Sequence, residues 1–255
     1  MCRHLAYLGP PVSLAELLLE PEHGLLTQSW APRRQRYGTV NADGFGVGWY
    51  ADGDPRPARY RRAVPMWTDP SFTDVARVTR SGAVLAAVRS ATVGTTADES
   101  AAAPYTAGPW LFSHNGVVHG WPDEVDGLVA GAAPSRLLRL EAQVDSALLW
   151  ALTLDRLEAG DTTAAALTAV LERVHSVTTG RFNLLLTDGV SLAATADGDT
   201  LCWRGDPAGG VVVASEPSDD GAGWHDVPDG SLLTVDDGGV VVRPLPSTKE
   251  RPAAS

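Results

Sequence analysis

The chain of 255 residues contains only two cysteines, Cys2 and Cys202, which lie at opposite ends of the sequence. Two thiols cannot form a cysteine-based metal site, and a disulfide between them is disfavoured in a reducing compartment. The six histidines show no metal-ligand spacing. We therefore expect no metal and no other cofactor, and look to chemistry that ordinary side chains can perform.

The sequence also lacks an excess of positive charge and a long apolar run. Its net charge is −11, which disfavours nucleic acid or an anionic membrane surface as a partner. No apolar run approaches the roughly 20 residues that a membrane helix needs. The apolar stretch near the N-terminus is too short for a signal peptide, so a cytoplasmic location is the default expectation.

Apolar residues recur with the periods of strands and helices in most of the remaining sequence. Strands are predicted at 3–8, 44–50, 58–62 and 84–88, and again at 183–187, 190–195, 201–203, 211–214, 232–235 and 240–242. Helices are predicted at 14–19, 69–79, 145–158 and 162–175, with Ser13 capping the first. Residues 20–42 and 90–109 are expected to be irregular.

This order of strands, a pair of helices and further strands predicts an α+β fold. Two stacked, mostly antiparallel sheets with helices outside would bury the apolar strands, giving a four-layer αββα sandwich. No linker or repeat divides the chain. We expect a single domain over 2–246 and a frayed tail over 247–255.

Cys2 is a candidate nucleophile because of its position. A thiol at neutral pH is mostly protonated, so cysteine catalysis needs a base. We expect Met1 to be removed, because it precedes a small residue. The freed α-amine of Cys2, with an ordinary pKa of about 7.7–8.0, could then take the thiol proton. Position alone does not distinguish Cys2 from a small residue in a strand.

His114, Asn115 and Gly116 form a second candidate group. The carboxamide of Asn115 and the backbone N–H of Gly116 could together form an oxyanion hole for a tetrahedral intermediate. An Asn-Gly pair also favours a hairpin turn, and on that basis two short strands, 110–114 and 117–119, are predicted on either side of a tight turn. The two interpretations are compatible.

Three further residues could recognise a glutamyl group. Arg89 follows a buried strand and could bind a carboxylate with both arms of its guanidinium, while Thr92 adds a hydroxyl. Asp145 begins a predicted helix and could hold an ammonium group. The alternatives are a structural ion pair for Arg89 and a helix cap for Asp145.

These features, in this order, resemble the class II glutamine amidotransferases of the N-terminal nucleophile (Ntn) hydrolase superfamily. The family pattern has a Met-Cys start, an Arg-x-Ala-Thr strand end, an Asn-Gly oxyanion pair and an amine-binding Asp. It maps here to Cys2, Arg89 with Thr92, Asn115 with Gly116, and Asp145. Residues 41–49 are also similar to the family's Asp-Gly-x-Gly-x-Gly hairpin. The resemblance implies the Ntn-hydrolase fold and cleavage of a γ-glutamyl amide through a thioester on Cys2.

Within that family, residues 1–9, 28–33 and 41–46 resemble the amidohydrolases of ergothioneine biosynthesis. That resemblance implies hydrolysis of γ-glutamyl-hercynylcysteine S-oxide to glutamate and hercynylcysteine S-oxide. The sequence departs from the wider pattern at Val93, where many members have His, and at Arg3-His4, where Gly is common after Cys. Because no ammonia-using domain is expected, a hydrolase is favoured over a transferase.

Three alternatives stay open at this point. The chain could be a glutaminase subunit that supplies ammonia to a synthetase, a hydrolase of other γ-glutamyl thiol peptides, or a non-catalytic binding protein. A small-molecule γ-glutamyl substrate is the expected ligand, and an oligomer is compatible with the sequence. The residues that read the leaving group are not identified. Candidates are the loop tryptophans and a basic segment, namely Trp30, Trp67, Trp110, Arg33, Arg34 and Arg36.

Overall fold

Thirteen strands form two sheets within residues 2–91, 98–206 and 209–246, the parts of the chain that the computed structural model describes. The first six strands are β1 (Arg3–Ser13), β2 (Phe45–Trp49), β3 (Ala58–Arg62), β4 (Arg80–Val88), β5 (Tyr105–Ala107) and β6 (Trp110–Val118). The others are β7 (Gly180–Thr187), β8 (Leu192–Ala196), β9 (Cys202–Gly205), β10 (Val211–Ala214), β11 (His225–Asp226), β12 (Ser231–Asp236) and β13 (Gly239–Pro244).

The α-helices fall into an early group of three and a later group of four. They are α1 (Leu14–Leu18), α2 (Leu25–Gln28), α3 (Pro70–Val78), α4 (Asp126–Val129), α5 (Pro134–Leu137), α6 (Asp145–Glu158) and α7 (Thr163–Val177). Single 3₁₀ turns occur at Met66–Thr68 and Glu99–Ala101. No helix in these ranges combines the length and the apolar composition that a membrane crossing requires.

The sheets stack face to face with helices on both outer surfaces. The first sheet has the strand order β11-β9-β10-β1-β4-β2-β3, and the second has the order β13-β12-β8-β7-β6-β5. Helices α1 to α3 pack on the first sheet, and α6 and α7 pack on the second. All the strand pairs are antiparallel. The predicted α+β, four-layer αββα sandwich is confirmed.

Alternation along β1 shows how one strand serves two apolar layers. Leu5 and Tyr7 join the cluster beneath the early helices, whereas Ala6 between them joins the cluster between the sheets. The layer between the sheets is rich in alanine and leucine, including Ala194 and Leu233. Leucine and alanine side chains together fill the usual spacing of about 10 Å between stacked sheets.

Helix starts follow the local sequence signals. Ser13 Oγ accepts the Glu16 N–H at 3.1 Å, and the Glu16 carboxylate accepts the Ser13 N–H at 2.7 Å, a complete capping box. Asp69 caps α3 by accepting the Phe72 N–H at 3.2 Å. The predicted helices at 14–19, 69–79, 145–158 and 162–175 are confirmed to within two residues at each end.

The predicted hairpin turn at Asn115-Gly116 is wrong. Strand β6 runs unbroken from Trp110 to Val118, with Asn115 opposite Asn183 and Gly116 opposite Phe182 in β7. The glycine serves a close backbone approach instead of a turn, because a Cβ there would lie 1.8 Å from the Arg181 carbonyl oxygen. Cross-strand pairing has overridden the local turn preference.

Two predicted irregular segments contain short elements, α2 in 20–42 and β5 in 90–109. β5 forms a short hairpin with the neighbouring β6, whereas α2 is held by packing on the distant strands β1 and β4. The predicted tail over 247–255 lies outside the described residues, and the single domain over 2–246 stays a prediction.

Candidate active site

The register of three neighbouring strands brings distant residues to one end of the first sheet. Val88 in β4 pairs with Arg3 on one side and with Phe45 on the other. Cys2, immediately before β1, therefore lies beside Arg89, immediately after β4. Asn115 comes from the second sheet and Asp145 from the start of α6. Cys2, Arg89 and Asp145 line a narrow cleft, with a cavity of about 40 Å³, whose walls also include Tyr105, His114, Gly116 and Ser146.

Cys2 is partly exposed in this cleft, and its main chain is held on both sides. Its backbone nitrogen donates to Asn115 Oδ1 at 3.0 Å, and its carbonyl oxygen accepts from Arg3 Nε at 2.9 Å. Its Sγ lies 4.0 Å from the Ser90 carbonyl oxygen. The main chain of Cys2 is therefore fixed at the cleft, and its sulfur lies near the Ser90 carbonyl group.

Asn115 is fully buried, and its two side-chain atoms have different surroundings. Oδ1 accepts from Cys2, whereas Nδ2 has no hydrogen-bond partner among the described residues. An unpaired buried amide donor costs about 1–3 kcal/mol, so it is retained where a ligand atom completes it. Asn115 Nδ2, beside the Cys2 nitrogen, is therefore available to donate a hydrogen bond to a ligand.

The opposite asparagine on β7, Asn183, provides an internal comparison. Its Nδ2 donates to the carbonyl oxygens of Asp199 and Thr200 at 3.0 and 3.1 Å, and its Oδ1 accepts the backbone N–H groups of Asp197 and Asp199 at 2.9 and 3.2 Å. Asn183 is saturated and ties the 197–200 loop to the sheet. Of this cross-strand pair, Asn115 alone keeps a donor for a ligand.

Gly116 lines the cleft, and its lack of a side chain is a geometric requirement. A Cβ would stand 1.8 Å from the Arg181 carbonyl oxygen and 2.6 Å from His114 Nε2. His114 Nε2 itself donates to that carbonyl at 3.0 Å. Any side chain at Gly116 would force β6 away from β7 and break the His114 hydrogen bond.

His114 has both ring nitrogens occupied. Because a carbonyl oxygen only accepts, the bond to Arg181 places the proton on Nε2. Nδ1 then accepts from the Ser146 hydroxyl at 3.0 Å. His114 thus joins β6 to β7 and to the first turn of α6, a supporting position that leaves it no lone pair for the cleft.

Asp145 is the first residue of α6, while Val144 is its N-cap and makes no side-chain bond. Asp145 Oδ2 accepts the Val118 N–H at 3.0 Å, and Oδ1 accepts the Ser146 N–H at 2.7 Å. A carboxylate at a helix N-terminus is favoured by the helix dipole. The expected cap role is therefore replaced by a carboxylate fixed at the cleft wall by two N–H groups.

Arg89 is 8% exposed and lines the same cleft. Its backbone is held by the residues before β2, with the Arg89 N–H donating to Gly44 O at 2.8 Å and the Asp43 N–H donating to Arg89 O at 2.9 Å. The Asp43 carboxylate accepts the Ala91 N–H at 2.7 Å. Asp43 thus holds the backbone around Arg89 in place. The Asp-Gly motif in the sequence was the feature that could have identified it. Thr92 lies outside the described residues.

Burial gives the chain's two thiols different environments. Cys202 is buried, and this burial raises the pKa of its thiol to about 12, so it stays protonated and unreactive. His4, the second residue of β1, has a pKa well below its ordinary value, because burial and then the charge of Arg3 disfavour its protonation. His4 is therefore neutral at physiological pH, with Nδ1 3.1 Å from Ser113 Oγ.

The candidates for reading a leaving group lie outside the cleft. Trp30 and Trp67 contact each other edge to face at 5.8 Å and are exposed, whereas Trp110 packs on the core around α6. Arg33 pairs with Asp220 at 2.6 Å and Arg34 pairs with Asp226.

The described ranges contain one group with metal-ligand atoms in reach of one another, Glu22, His23 and Asp220, whose atoms lie within 4.8 Å. None of the three lines the cleft at Cys2, and Asp220 already pairs with Arg33. The cleft itself brings together no such set among these residues.

Known proteins resemble this chain over most of its length. Residues 22–209 match the family model described as glutamine amidotransferases class-II. The chain is 47% identical over 246 residues to the γ-glutamyl-hercynylcysteine sulfoxide hydrolase of Mycolicibacterium smegmatis, covering 96% of this chain and 100% of that protein. It is 44% identical over 249 residues to the Mycobacterium tuberculosis protein of the same name, covering 98% and 99%.

A solved structure has a similar fold. The glutamine aminotransferase class-II domain protein from Silicibacter pomeroyi superposes with a TM-score of 0.70 at 26% identity, covering 96% of this chain and 99% of that one.

Proposed function

The chain belongs to the class II glutamine amidotransferase family, and from this premise we propose that it hydrolyses γ-glutamyl-hercynylcysteine sulfoxide to glutamate and hercynylcysteine sulfoxide. The observation that carries the proposal is the double role of Asn115, with Oδ1 on the Cys2 nitrogen and a buried Nδ2 in reserve. Near full-length identity to two hydrolases of that name supports the choice of substrate.

The glutamyl end of the substrate binds in the narrow cleft. Arg89 receives the α-carboxylate, with Thr92 as the proposed hydroxyl partner, and Asp145 receives the α-ammonium group. Asp145 suits this role because its oxygens accept backbone N–H groups and the Ser146 hydroxyl and form no ion pair within the described ranges, which leaves lone pairs for an ammonium group. This clamp places the γ-carbonyl carbon at Cys2.

Catalysis begins once Met1 is removed and the Cys2 nitrogen becomes an α-amine. The amine takes the thiol proton, and the thiolate attacks the γ-carbonyl carbon. Asn115 Nδ2 and the Gly116 N–H stabilise the oxyanion. As the C–N bond breaks, the ammonium returns its proton to the leaving nitrogen, and a γ-glutamyl thioester remains on Cys2.

Hydrolysis of the thioester uses the same base. The Cys2 amine takes a proton from water, the hydroxide attacks the thioester carbon, and the thiolate leaves and recovers the proton from the ammonium. A histidine base is not needed, and His114 is unsuited to be one because both its nitrogens are engaged. A nucleophilic thiol suits a reducing compartment, so we place this activity, in a single domain over 2–246, in the cytoplasm.

A panel of γ-glutamyl compounds tests the proposal. Glutamate release is measured with γ-glutamyl-hercynylcysteine sulfoxide, γ-glutamylcysteine, glutathione and glutamine, with Cys2→Ala as the inactive control. The proposal expects the highest kcat/KM for the hercynyl compound. Glutamine as the best substrate would instead identify a glutaminase subunit, and glutathione or γ-glutamylcysteine would identify a hydrolase of other thiol peptides.

A further inference from the structure

A second cavity, of about 270 Å³, lies at the active-site end of the sheets on the side of Cys2 away from Arg89. Three loops form it, the first before β2, the second between β8 and β9, and the third between β11 and β12. Its walls are Arg34, Arg36, residues 198–201, Asp226, Val227 and Asp229. No step of the proposed reaction uses this cavity.

Two arginine side chains connect this cavity to the catalytic cleft. Arg3 Nε donates to the Cys2 carbonyl, and Arg3 NH1 lies 3.5 Å from Oγ1 of Thr200 in the cavity wall. Arg181 Nε donates to the carboxylate of Asp199, another wall residue, at 3.0 Å, while its own carbonyl lies against Gly116. The two sites therefore stand one side chain apart.

The loop before β2 contributes to the cavity and is anchored at two points. The backbone N–H groups of Arg33 and Arg34 donate to the buried Glu216 carboxylate at 2.9 and 2.7 Å. Three residues later, the Tyr37 ring lies against the guanidinium of Arg181, 4.3 Å from ring centroid to carbon. Arg36 lies between these two anchors and lines the cavity.

The charges of the cavity suit a ligand that carries both signs. Arg34 is balanced by Asp226, and Asp199 is balanced by Arg181. Arg36 is exposed and has no ion pair within the described ranges. The cavity therefore offers the Arg36 guanidinium, which suits a carboxylate, and the Asp229 carboxylate, which accepts the Gly198 N–H at 2.7 Å and suits a quaternary ammonium.

We propose that this cavity binds the betaine end of the leaving group, with Arg36 pairing with its carboxylate. The proposal rests on the proposed function, because hercynylcysteine sulfoxide carries a trimethylammonium and a carboxylate at its far end. The cleft is filled by the glutamyl group. An extended leaving group is about three residues long and reaches roughly 10 Å beyond the scissile bond.

Arg36→Gln tests the assignment, with Arg56→Gln, a strongly exposed arginine in the β2–β3 turn, as the matched control. Two substrates are compared: γ-glutamyl-hercynylcysteine sulfoxide, and γ-glutamyl-S-methylcysteine S-oxide, which lacks the betaine. Arg36→Gln should lower kcat/KM roughly tenfold for the first substrate, mainly through KM, and leave the second unchanged. Arg36→Lys should recover part of the loss, and Arg56→Gln should match the wild type.

Equal effects of Arg36→Gln on both substrates, or no effect on either, would overturn the subsite. Failure of the proposed function has a different signature, namely a wild-type enzyme that does not prefer the hercynyl compound over the S-methyl compound. The comparison of substrates in the wild type therefore tests the proposed function, and the comparison of variants on one substrate tests the subsite.

Discussion

Replacing Asn115 by Ala separates the catalytic use of this side chain from any structural use. The variant removes the Oδ1 acceptor of the Cys2 nitrogen and the unpaired Nδ2 donor together. Asn183→Ala is the matched control, because Asn183 stands directly opposite on β7, is equally buried and uses all its side-chain bonds on the loop at 197–200.

The structure sets the expected magnitudes. Loss of one oxyanion donor lowers kcat by roughly 10²–10³, or about 2.7–4 kcal/mol of transition-state stabilisation. The lost bond to Cys2 costs about 1 kcal/mol of folding free energy, but removal of a buried unpaired donor returns about 1–3 kcal/mol. The free energy of unfolding of Asn115→Ala should therefore change by no more than about 2 kcal/mol. Asn183→Ala leaves several buried backbone groups without hydrogen-bond partners, so it should lose more stability than Asn115→Ala.

Steady-state glutamate release at saturating substrate gives kcat, and urea unfolding gives the stability of each variant. The reasoning predicts a slow but stable Asn115→Ala and a less stable Asn183→Ala that is active where it remains folded. Wild-type kcat in Asn115→Ala, or a larger loss of stability in Asn115→Ala than in Asn183→Ala, would refute it.

Three further predictions follow from the environments of single residues. Iodoacetamide should label Cys2 and spare Cys202, whose burial raises its thiol pKa to about 12, and peptide mass spectrometry showing equal labelling would contradict this. Burial lowers the pKa of His4 in the folded state, so protons bind the unfolded chain preferentially. The stability due to His4 should be complete above pH ~6.5 and fall below it by up to about 1.4 kcal/mol per pH unit; denaturation at pH 5–7.5 should show a shallower slope in His4→Gln, and an unchanged slope would count against it. Asp145→Asn should raise KM roughly tenfold for γ-glutamyl anilides but not for glutaryl anilides, which lack the α-amine; equal losses in the two assays would argue for a purely structural role.

Local signals predicted the elements whose stability is local. Ser13 with Glu16 and Asp69 with Pro70 are complete helix starts within four residues, and the structure has helices at both. Asn115-Gly116 shows the opposite case. Its turn preference is overridden by a nine-residue strand, and the reason for the glycine is a carbonyl on another strand 65 residues away, Arg181.

The candidate site was predicted as a set of residue types, but its geometry depends on long-range register. Pairing of Val88 with Arg3 brings Cys2 close to Arg89. A local sequence pattern cannot predict that these two residues, far apart in the chain, lie side by side. The unpaired Asn115 Nδ2 and the proton position on His114 depend in turn on Cys2, Arg181 and Ser146, which come from three separate segments. The supporting role of Asp43 also appears only when β2 and β4 are paired.

The central claim is that Cys2, with its own free amine as the base, carries the γ-glutamyl group during turnover. Mass spectrometry of enzyme quenched in acid during turnover tests it most directly. The account predicts an N-terminal peptide that begins at Cys2 and carries a glutamyl group, released by hydroxylamine and absent from Cys2→Ala. An active enzyme that retains Met1 and shows no adduct on Cys2 would contradict it.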